Sequence, residues 1–302
     1  MSVETASALV NELYAGTPAA AGCRVNHARG ILVEGRFRPC AEAQALTEAA
    51  IFAESDQPAL VRFSSSTGNP RISQDDHAAN PRGIAVQIGQ PPTFVLVGHS
   101  VEAFPARNGD GFLTFLKALN EGTDHPGLID QYMNEHEAAR RFAGVRAVQP
   151  SRSFAEGAYH MLHPFRLTRR DGGSVVGRLT VDGVGQPRRK LRDAVYGADC
   201  LDRELRARLE AAGVELVLRF QRAPADVDIE DISAPWPGGG ENTELGRIML
   251  THLAANQEAQ KRLTFDPGVL PLGITFAGDP MIEVRLAAYH LAFQRRLGFA
   301  HS

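Results

Sequence analysis

Four short apolar runs constrain the fold of this 302-residue chain more than any other feature. The runs are rich in Val, Ile and Phe, and turn residues such as Gly, Pro, Asn and Asp separate them. They cover residues 30–37, 59–64, 83–88 and 93–97. Runs of this length and spacing predict an antiparallel sheet or barrel.

Helical patterns lie before and after these runs. The first sixteen residues carry Ala6, Leu9, Val10 and Leu13 at the spacing of one helical face. Further helices are predicted at 111–120, 127–142, 201–212 and from about 280 onward, and further strands at 165–169, 174–181, 214–222 and 245–250. Strands grouped before helices favour an α+β fold over a regular β-α-β winding. Because no internal repeat divides the chain, a single domain over residues 1–302 is predicted.

The composition excludes several partners. The formal charge is −3, so no general positive field attracts nucleic acid or anionic lipid, and the basic run at 188–192 is interpreted as a solvated surface. No segment reaches the roughly 18 apolar residues that a membrane helix needs. The three cysteines are odd in number and form no C-x-x-C pair, and the N-terminus has no signal-peptide pattern. Together these features predict a cytoplasmic protein.

The most suggestive chemical pattern lies near the C-terminus. Arg285, Tyr289 and Arg296 recur at intervals of four and seven, which places them along one stripe of a helix. Tyrosine becomes an anionic ligand at neutral pH only when a cation or metal stabilises it, and Arg285 is one turn away. Tyrosinate is a suitable ligand for ferric haem, and Arg296 is placed to meet a propionate. Taken alone, the triplet is better explained by an ordinary amphipathic helix with a half-buried tyrosine and two solvated arginines.

A haem that reacts with peroxide needs a proton shuttle on its opposite face, and His27 is the candidate. The period of a strand places Arg62 and Ser64 on one face, where Ser64 can hold one ring nitrogen of His27 and Arg62 can meet a propionate. A structural histidine and an edge strand with polar residues facing water are the alternatives for these segments.

Taken together, these segments resemble the catalase superfamily. Four blocks match in order and spacing, and a fifth at 264–273 resembles the run that leads into the tyrosine helix. The four are His-Ala-Arg-Gly within 24–30, Val-Arg-Phe-Ser at 61–64, Asn-Pro-Arg-Gly-Ile-Ala-Val at 80–86, and Arg-x3-Tyr-x6-Arg-Leu-Gly at 285–298. The resemblance covers residues 20–298 and implies an antiparallel β-barrel surrounded by helices, without the long N-terminal arm and C-terminal helical region of typical catalases.

The resemblance also implies roles for individual residues. His27 corresponds to the distal catalytic histidine, Ser64 to its hydrogen-bond partner and Tyr289 to the axial metal ligand, with Arg285 supporting the tyrosinate. The remaining cofactor-binding residues are Arg24, Arg62 and Arg296 for the propionates and Phe112 for the distal haem face. The cofactor is haem, with haem b expected. A structural role is the default for His163.

Departures from the family pattern shape the expected reaction. His99 stands where catalases carry an asparagine that helps to hold peroxide, and His290, Leu291 and Phe293 replace a Pro-Asp pair and a histidine beside the ligand. Weak catalase activity is therefore expected. Because the chain is short, we expect an accessible haem edge and a peroxidase that reduces hydrogen peroxide or organic hydroperoxides with organic electron donors.

Two other functions remain open at this point. Related domains rearrange fatty-acid hydroperoxides, and a haem carrier or sensor would keep the ligand while losing turnover. A homodimer is compatible with the helices' apolar faces, and the sequence does not decide it.

Overall fold

The structure of the chain is a computed structural model that describes residues 2–17, 22–125, 127–148, 152–184, 196–238 and 240–299. The basic run at 188–192 lies outside these ranges. In the described part, no helix is both long and apolar enough to cross a membrane.

Eight strands form a closed antiparallel barrel, and a ninth pairs with its outer edge. Their order around the barrel is β4-β3-β2-β1-β8-β7-β6-β5, and a β4–β5 pairing closes it. The strands are β1 (Gly30–Pro39), β2 (Gln57–Ser64), β3 (Gly83–Ile88), β4 (Phe94–His99), β5 (Gly157–Thr168), β6 (Ser174–Gly183), β7 (Val214–Arg222), β8 (Asn242–Leu253) and β9 (Ile274–Phe276). Closure rests on one pair, His99 with His160, whereas Phe165, Arg166 and Leu167 of β5 pair with β9.

Alternation along each strand separates an apolar interior from an outer face. In β2, Val61 and Phe63 point into the barrel core, while Arg62 and Ser64 lie on the opposite face. Phe63 stacks on Phe154 inside the core, with ring centroids 5.3 Å apart. The barrel interior is therefore filled by side chains, and the space for a ligand lies outside it.

Besides four short 3₁₀-helices, the described structure contains six α-helices. They are α1 (Ser2–Gly16), α2 (Gly109–Glu121), α3 (Leu128–Glu135), α4 (Glu137–Ala147), α5 (Cys200–Ala211) and α6 (Ile282–Phe299). The apolar face of α1 packs against α2 and α6, where Ala6 and Leu9 meet Phe115 and Val284 in a second core. This helical layer faces the outer surface of the barrel.

The predicted α+β barrel with surrounding helices is confirmed. Two boundaries differ from the prediction. The helix expected over 127–142 is two helices, because His136 adopts an extended backbone between them. Strand β5 begins at Gly157 rather than 165, since an irregularity between Met161 and Phe165 hides its alternation. The single domain remains a prediction.

Candidate active site

A cavity of about 290 Å³ lies between the outer face of the barrel and helices α1, α2 and α6. All eight residues predicted for the site line it, although they come from four segments that are distant in the sequence. They are Arg24, His27, Arg62, Ser64, Phe112, Arg285, Tyr289 and Arg296. The structure therefore brings the predicted residues together, and their chemical roles stay predictions.

One row of residues across the barrel forms the first wall of this cavity. Ser64 is paired with Gly83, Gly83 with His99, and His99 with His160, so four adjacent strands contribute one position each. Directly paired residues point to the same face of a sheet. The hydroxyl of Ser64 and the imidazoles of His99 and His160 therefore lie on one side of the cavity. The pairing of His99 with His160 also closes the barrel.

His27 reaches this row from the loop before β1. Its backbone φ is +53°, in the left-handed region that is costly for a residue with a side chain. The side-chain oxygen of Asn26 accepts hydrogen bonds from the backbone N–H groups of His27 and Thr67, which fixes the loop. His27 Nδ1 lies 3.1 Å from Ser64 Oγ. A Cβ on Gly83 would lie only 2.7 Å from that Nδ1, so the absence of a side chain there makes room for the imidazole.

The electrostatic surroundings keep His27 neutral. Burial and the positive charges of Arg62, Arg24 and Arg285 together lower the pKa of His27 to about 3. A neutral imidazole has one nitrogen that can accept a proton. When the Nδ1–H of His27 donates to Ser64 Oγ, Nε2 is that nitrogen.

Helix α6 forms the opposite wall. Its helical period brings Arg285, Tyr289 and Arg296 onto the cavity side, as the sequence stripe predicts. The Cζ atom of Arg285 lies 5.5 Å from the centroid of the Tyr289 ring, and its guanidinium donates a hydrogen bond to the Val97 carbonyl. A cation is thus fixed beside the tyrosine ring.

A buried histidine and carboxylate lie behind Arg285. His163 Nδ1 is 2.9 Å from an Asp279 oxygen, and both side chains are almost fully buried. Burial lowers the pKa of His163, Arg285 lowers it further, and Asp279 opposes both. His163 lines the cavity, and the structural role expected for it stays a prediction. Asp279 was not predicted, and only its place three residues before α6 could have drawn attention to it.

Three arginines converge at one end of the cavity. Arg24 donates to the carbonyls of Gln260 and Leu263, Arg62 to the Gln260 side chain, and Arg296 to the Leu263 carbonyl. The hydrogen bonds described for the three all end on neutral oxygens rather than carboxylates.

The pKa values of these arginines are lowered because the side chains are buried close to one another. Burial lowers the pKa of Arg24 to about 8, and Arg62 and Arg296 contribute. Burial also lowers the pKa of Arg62 to about 9, again with a contribution from Arg296. The Nε of Arg296 is buried and has no hydrogen-bond partner among the described residues. Buried cations without anions are costly, so this end of the cavity is suited to an anionic group.

Apolar side chains cover the rest of the cavity. Phe112 packs on Phe104 with ring centroids 4.7 Å apart, and both line the space. Leu9, Val10 and Leu13 of α1 form part of the wall above α6. Their helical spacing was visible in the sequence, but nothing there indicated that this face would border the site.

Comparisons with known proteins agree with this geometry. Residues 20–168 match the protein-family model described as Catalase. A catalase-related peroxidase of Mycolicibacterium paratuberculosis is 29% identical over 287 residues, which span 92% of this chain and 90% of that protein. The chain is thus similar to catalase-related peroxidases over most of its length. A catalase-related peroxidase of Synechococcus elongatus is 25% identical and covers 91% of this chain and 84% of its own length.

The catalase fold is also seen in solved structures. Catalase A from Saccharomyces cerevisiae superposes with a TM-score of 0.77 at 17% identity, covering 93% of this chain. The match spans 62% of that catalase chain, so about three fifths of its length has a counterpart here. The sequence matches are to proteins named as catalase-related peroxidases and catalases, and the fold match is to a catalase.

The residues present fit a haem. A tyrosine with a cation beside it and a neutral histidine line the same cavity, together with apolar aromatic side chains. The partnerless Nε of Arg296, together with Arg24 and Arg62, would give the two propionates of a haem a cationic binding site. Tyr289 stays the predicted iron ligand.

Proposed function

We propose that this chain is a haem-dependent peroxidase that reduces hydrogen peroxide or organic hydroperoxides with organic electron donors, and that its catalase activity is weak. The observation that carries the proposal is the opposition of His27 and Tyr289 across one cavity, with Ser64 on the first and Arg285 beside the second. A carrier needs only the tyrosine side, so the oriented histidine argues for turnover of peroxide.

When bound, haem b would supply an iron able to take up the oxidising equivalents of the peroxide. The chain's own residues handle the protons. His27 Nε2 accepts the proton of the peroxide oxygen nearer the metal and returns it to the departing oxygen, which leaves as water or an alcohol. Ser64 keeps the imidazole in position, and the left-handed backbone at His27 sets its entry angle. Two one-electron donors then complete the reduction of each peroxide.

The expectation of weak catalase activity rests on His99. Its Nδ1 lies 3.1 Å from the carbonyl oxygen of Val101, so this N–H is used within the protein. The amide that catalases carry at this position would instead offer an N–H to a second peroxide. Without that donor, oxidation of a second peroxide is disfavoured relative to oxidation of an organic donor.

The apolar wall from α1 supports organic hydroperoxides among the substrates. Leu9, Val10 and Leu13 give an alkyl chain a surface to pack against. The same observation favours rearrangement of fatty-acid hydroperoxides as a second candidate function. Product analysis separates the two, because reduction yields an alcohol and consumes donor, whereas rearrangement yields an isomer and consumes none.

The first experiment is a visible spectrum of the haem-loaded protein before and after peroxide, followed by a one-electron donor. Tyrosinate-type ferric bands, a change with peroxide and its reversal by the donor are expected. A spectrum that does not respond to peroxide would favour a carrier or sensor. Oxygen evolution at rates comparable with donor oxidation would contradict weak catalase activity, and His99→Asn should raise the oxygen yield.

A further inference from the structure

The protonation of His99 follows from one contact. The Val101 carbonyl can only accept a hydrogen bond, so the Nδ1 that lies 3.1 Å from it carries the hydrogen. A neutral imidazole has a single N–H, and Nε2 therefore bears a lone pair. None of the hydrogen bonds in the described part of the chain engages this Nε2. Since His99 lines the cavity, the position presents a hydrogen-bond acceptor there.

Its surroundings keep this acceptor unprotonated. Burial lowers the pKa of His99 to about 3, and the charges of Arg285, His27 and His160 act in the same direction. The contact with Val101 opposes them only in part. His99 Nε2 can therefore only accept a hydrogen bond from a ligand. An asparagine amide at this position could instead donate one to a ligand's oxygen.

We propose that His99 Nε2 binds the hydroxyl group of a phenol-type electron donor and accepts its proton when the donor is oxidised. This inference rests on the proposed peroxidase function and names the substrate class and the residue that selects it. Phe104 and Phe112 line the same cavity and give an aromatic ring a surface to pack on. An acceptor beside an aromatic wall fits a phenol better than it fits an aromatic ether or an aliphatic reductant.

The step balances in protons and electrons. The O–H bond of the phenol breaks, one electron goes to the peroxide-oxidised haem, the proton goes to His99 Nε2, and a phenoxyl radical leaves. Two phenols are consumed for each peroxide. A hydroxyl group becomes strongly acidic when its ring loses an electron, so a base of low pKa suffices to take the proton.

A second histidine and a carboxylate lie close to His99. His160 is the direct cross-strand partner of His99 and lines the same cavity. Its Nε2 lies 3.5 Å from a carboxylate oxygen of Glu102, whose side chain is 54% exposed. A titratable pair with access to solvent therefore adjoins the proposed phenol site.

The tautomer of His99 can be tested in the unaltered chain. The ¹⁵N chemical shifts of the histidine rings would be recorded by NMR after loading the full chain with gallium protoporphyrin, a diamagnetic analogue of ferric haem. We expect the Nδ1–H form for His99, assigned by its loss in His99→Leu. An Nε2–H form would overturn the proposal, whatever the variants do.

The selectivity can be tested with two matched ligands. 4-Methylphenol and 4-methylanisole share a ring and differ in the hydroxyl hydrogen, so their binding to the ferric protein reports on one hydrogen bond. Spectral titration should show a phenol-to-ether affinity ratio about tenfold higher in the unaltered protein than in His99→Leu. The control is His252→Asn, which changes an exposed histidine on the outside of the barrel and should leave the ratio unchanged.

The outcomes separate this inference from the function on which it rests. If the unaltered protein oxidises phenols after peroxide and His99→Leu keeps the same affinity ratio, the role of His99 is wrong and the peroxidase stands. If the haem-loaded protein does not react with peroxide at all, the proposed function fails first. A lower ratio in His99→Leu together with a reduced rate of phenol oxidation and unchanged reaction with peroxide supports both.

Discussion

The two walls of the cavity are built on different principles. The His27 wall is assembled from a loop and four strands whose pairing fixes one row of side chains. The Tyr289 wall is one stripe of the helix α6, set by the helical period within eighteen residues. A helix can place a ligand and a cation by local sequence alone, whereas proton chemistry here depends on contacts between distant segments.

The largest effect is expected on the helical wall. Tyr289→Phe removes the hydroxyl that is placed to bind the iron, and most of the haem and the tyrosinate bands should be lost. The fold should survive, because Tyr289 is only half-buried. Haem content and the visible spectrum measure the effect, and Tyr196→Phe, which alters an exposed tyrosine, is the control. Unchanged bands in Tyr289→Phe would remove this residue as the ligand.

A substitution in the His27 wall should change the rate of the reaction with peroxide and leave the haem content unchanged. His27→Ala removes the proton acceptor, so we expect the reaction with peroxide to slow by about 10² to 10⁴-fold, the usual contribution of a positioned acid–base group. Bound haem should remain. Stopped-flow absorbance after mixing with peroxide measures the rate, with His77→Ala, an exposed histidine, as the control. Loss of haem instead of rate would mean that the two walls are not separable.

Gly83 tests whether the row itself positions His27. In Gly83→Ala the new Cβ would lie 2.6 Å from Ser64 Oγ and 2.7 Å from His27 Nδ1, so one of these groups must move. We expect a loss of about 1 to 3 kcal/mol in stability, as for other overpacked sites, together with a slower reaction with peroxide.

A matched glycine provides the control for this change. Gly144 lies within α4, and a Cβ there meets no atom within 4 Å. Gly144→Ala should raise the free energy of unfolding by roughly 0.5 to 1 kcal/mol, because alanine favours the helix. Denaturant unfolding measures both variants. Equal stability of Gly83→Ala and the unaltered protein would show that the cavity wall adapts.

The arginine cluster joins the two walls and should show opposite effects with and without haem. Arg296→Gln removes one of three crowded cations, so the haem-free protein should keep or gain stability. Haem affinity should fall by about tenfold, which is the scale of one charge-assisted hydrogen bond. Transfer of haem to an acceptor protein measures the affinity, and Arg262→Gln, at an exposed position nearby, is the control. Lower stability of the haem-free variant would contradict the cost assigned to the cluster.

The smallest effect is expected from pH. The pKa of His27 is lowered to about 3, so its neutral, proton-accepting form persists as the pH falls well below 6.5. The rate of the reaction with peroxide should therefore change less than about twofold between pH 5 and pH 8. Stopped-flow measurements across this range test it. A decline with a midpoint near 6.5 would indicate an ordinary, solvated histidine.

The sequence by itself determined the elements and the helical wall. The periods of 2 and 3.6 residues are local, so β1 to β4 and the stripe of Arg285, Tyr289 and Arg296 could be predicted from adjacent residues. His27, Ser64 and Arg62 were reached by their chemistry and by a resemblance, and their proximity could not be calculated from their spacing.

Only the tertiary structure decided which distant residues meet. Strand register and barrel closure decide three contacts. They are the pairing of His99 with His160, the space for His27 beside Gly83, and the contact of His163 with Asp279. A shift of one residue in register would send each side chain to the opposite face of the sheet. That choice is made by packing of the whole apolar interior, which no local segment contains.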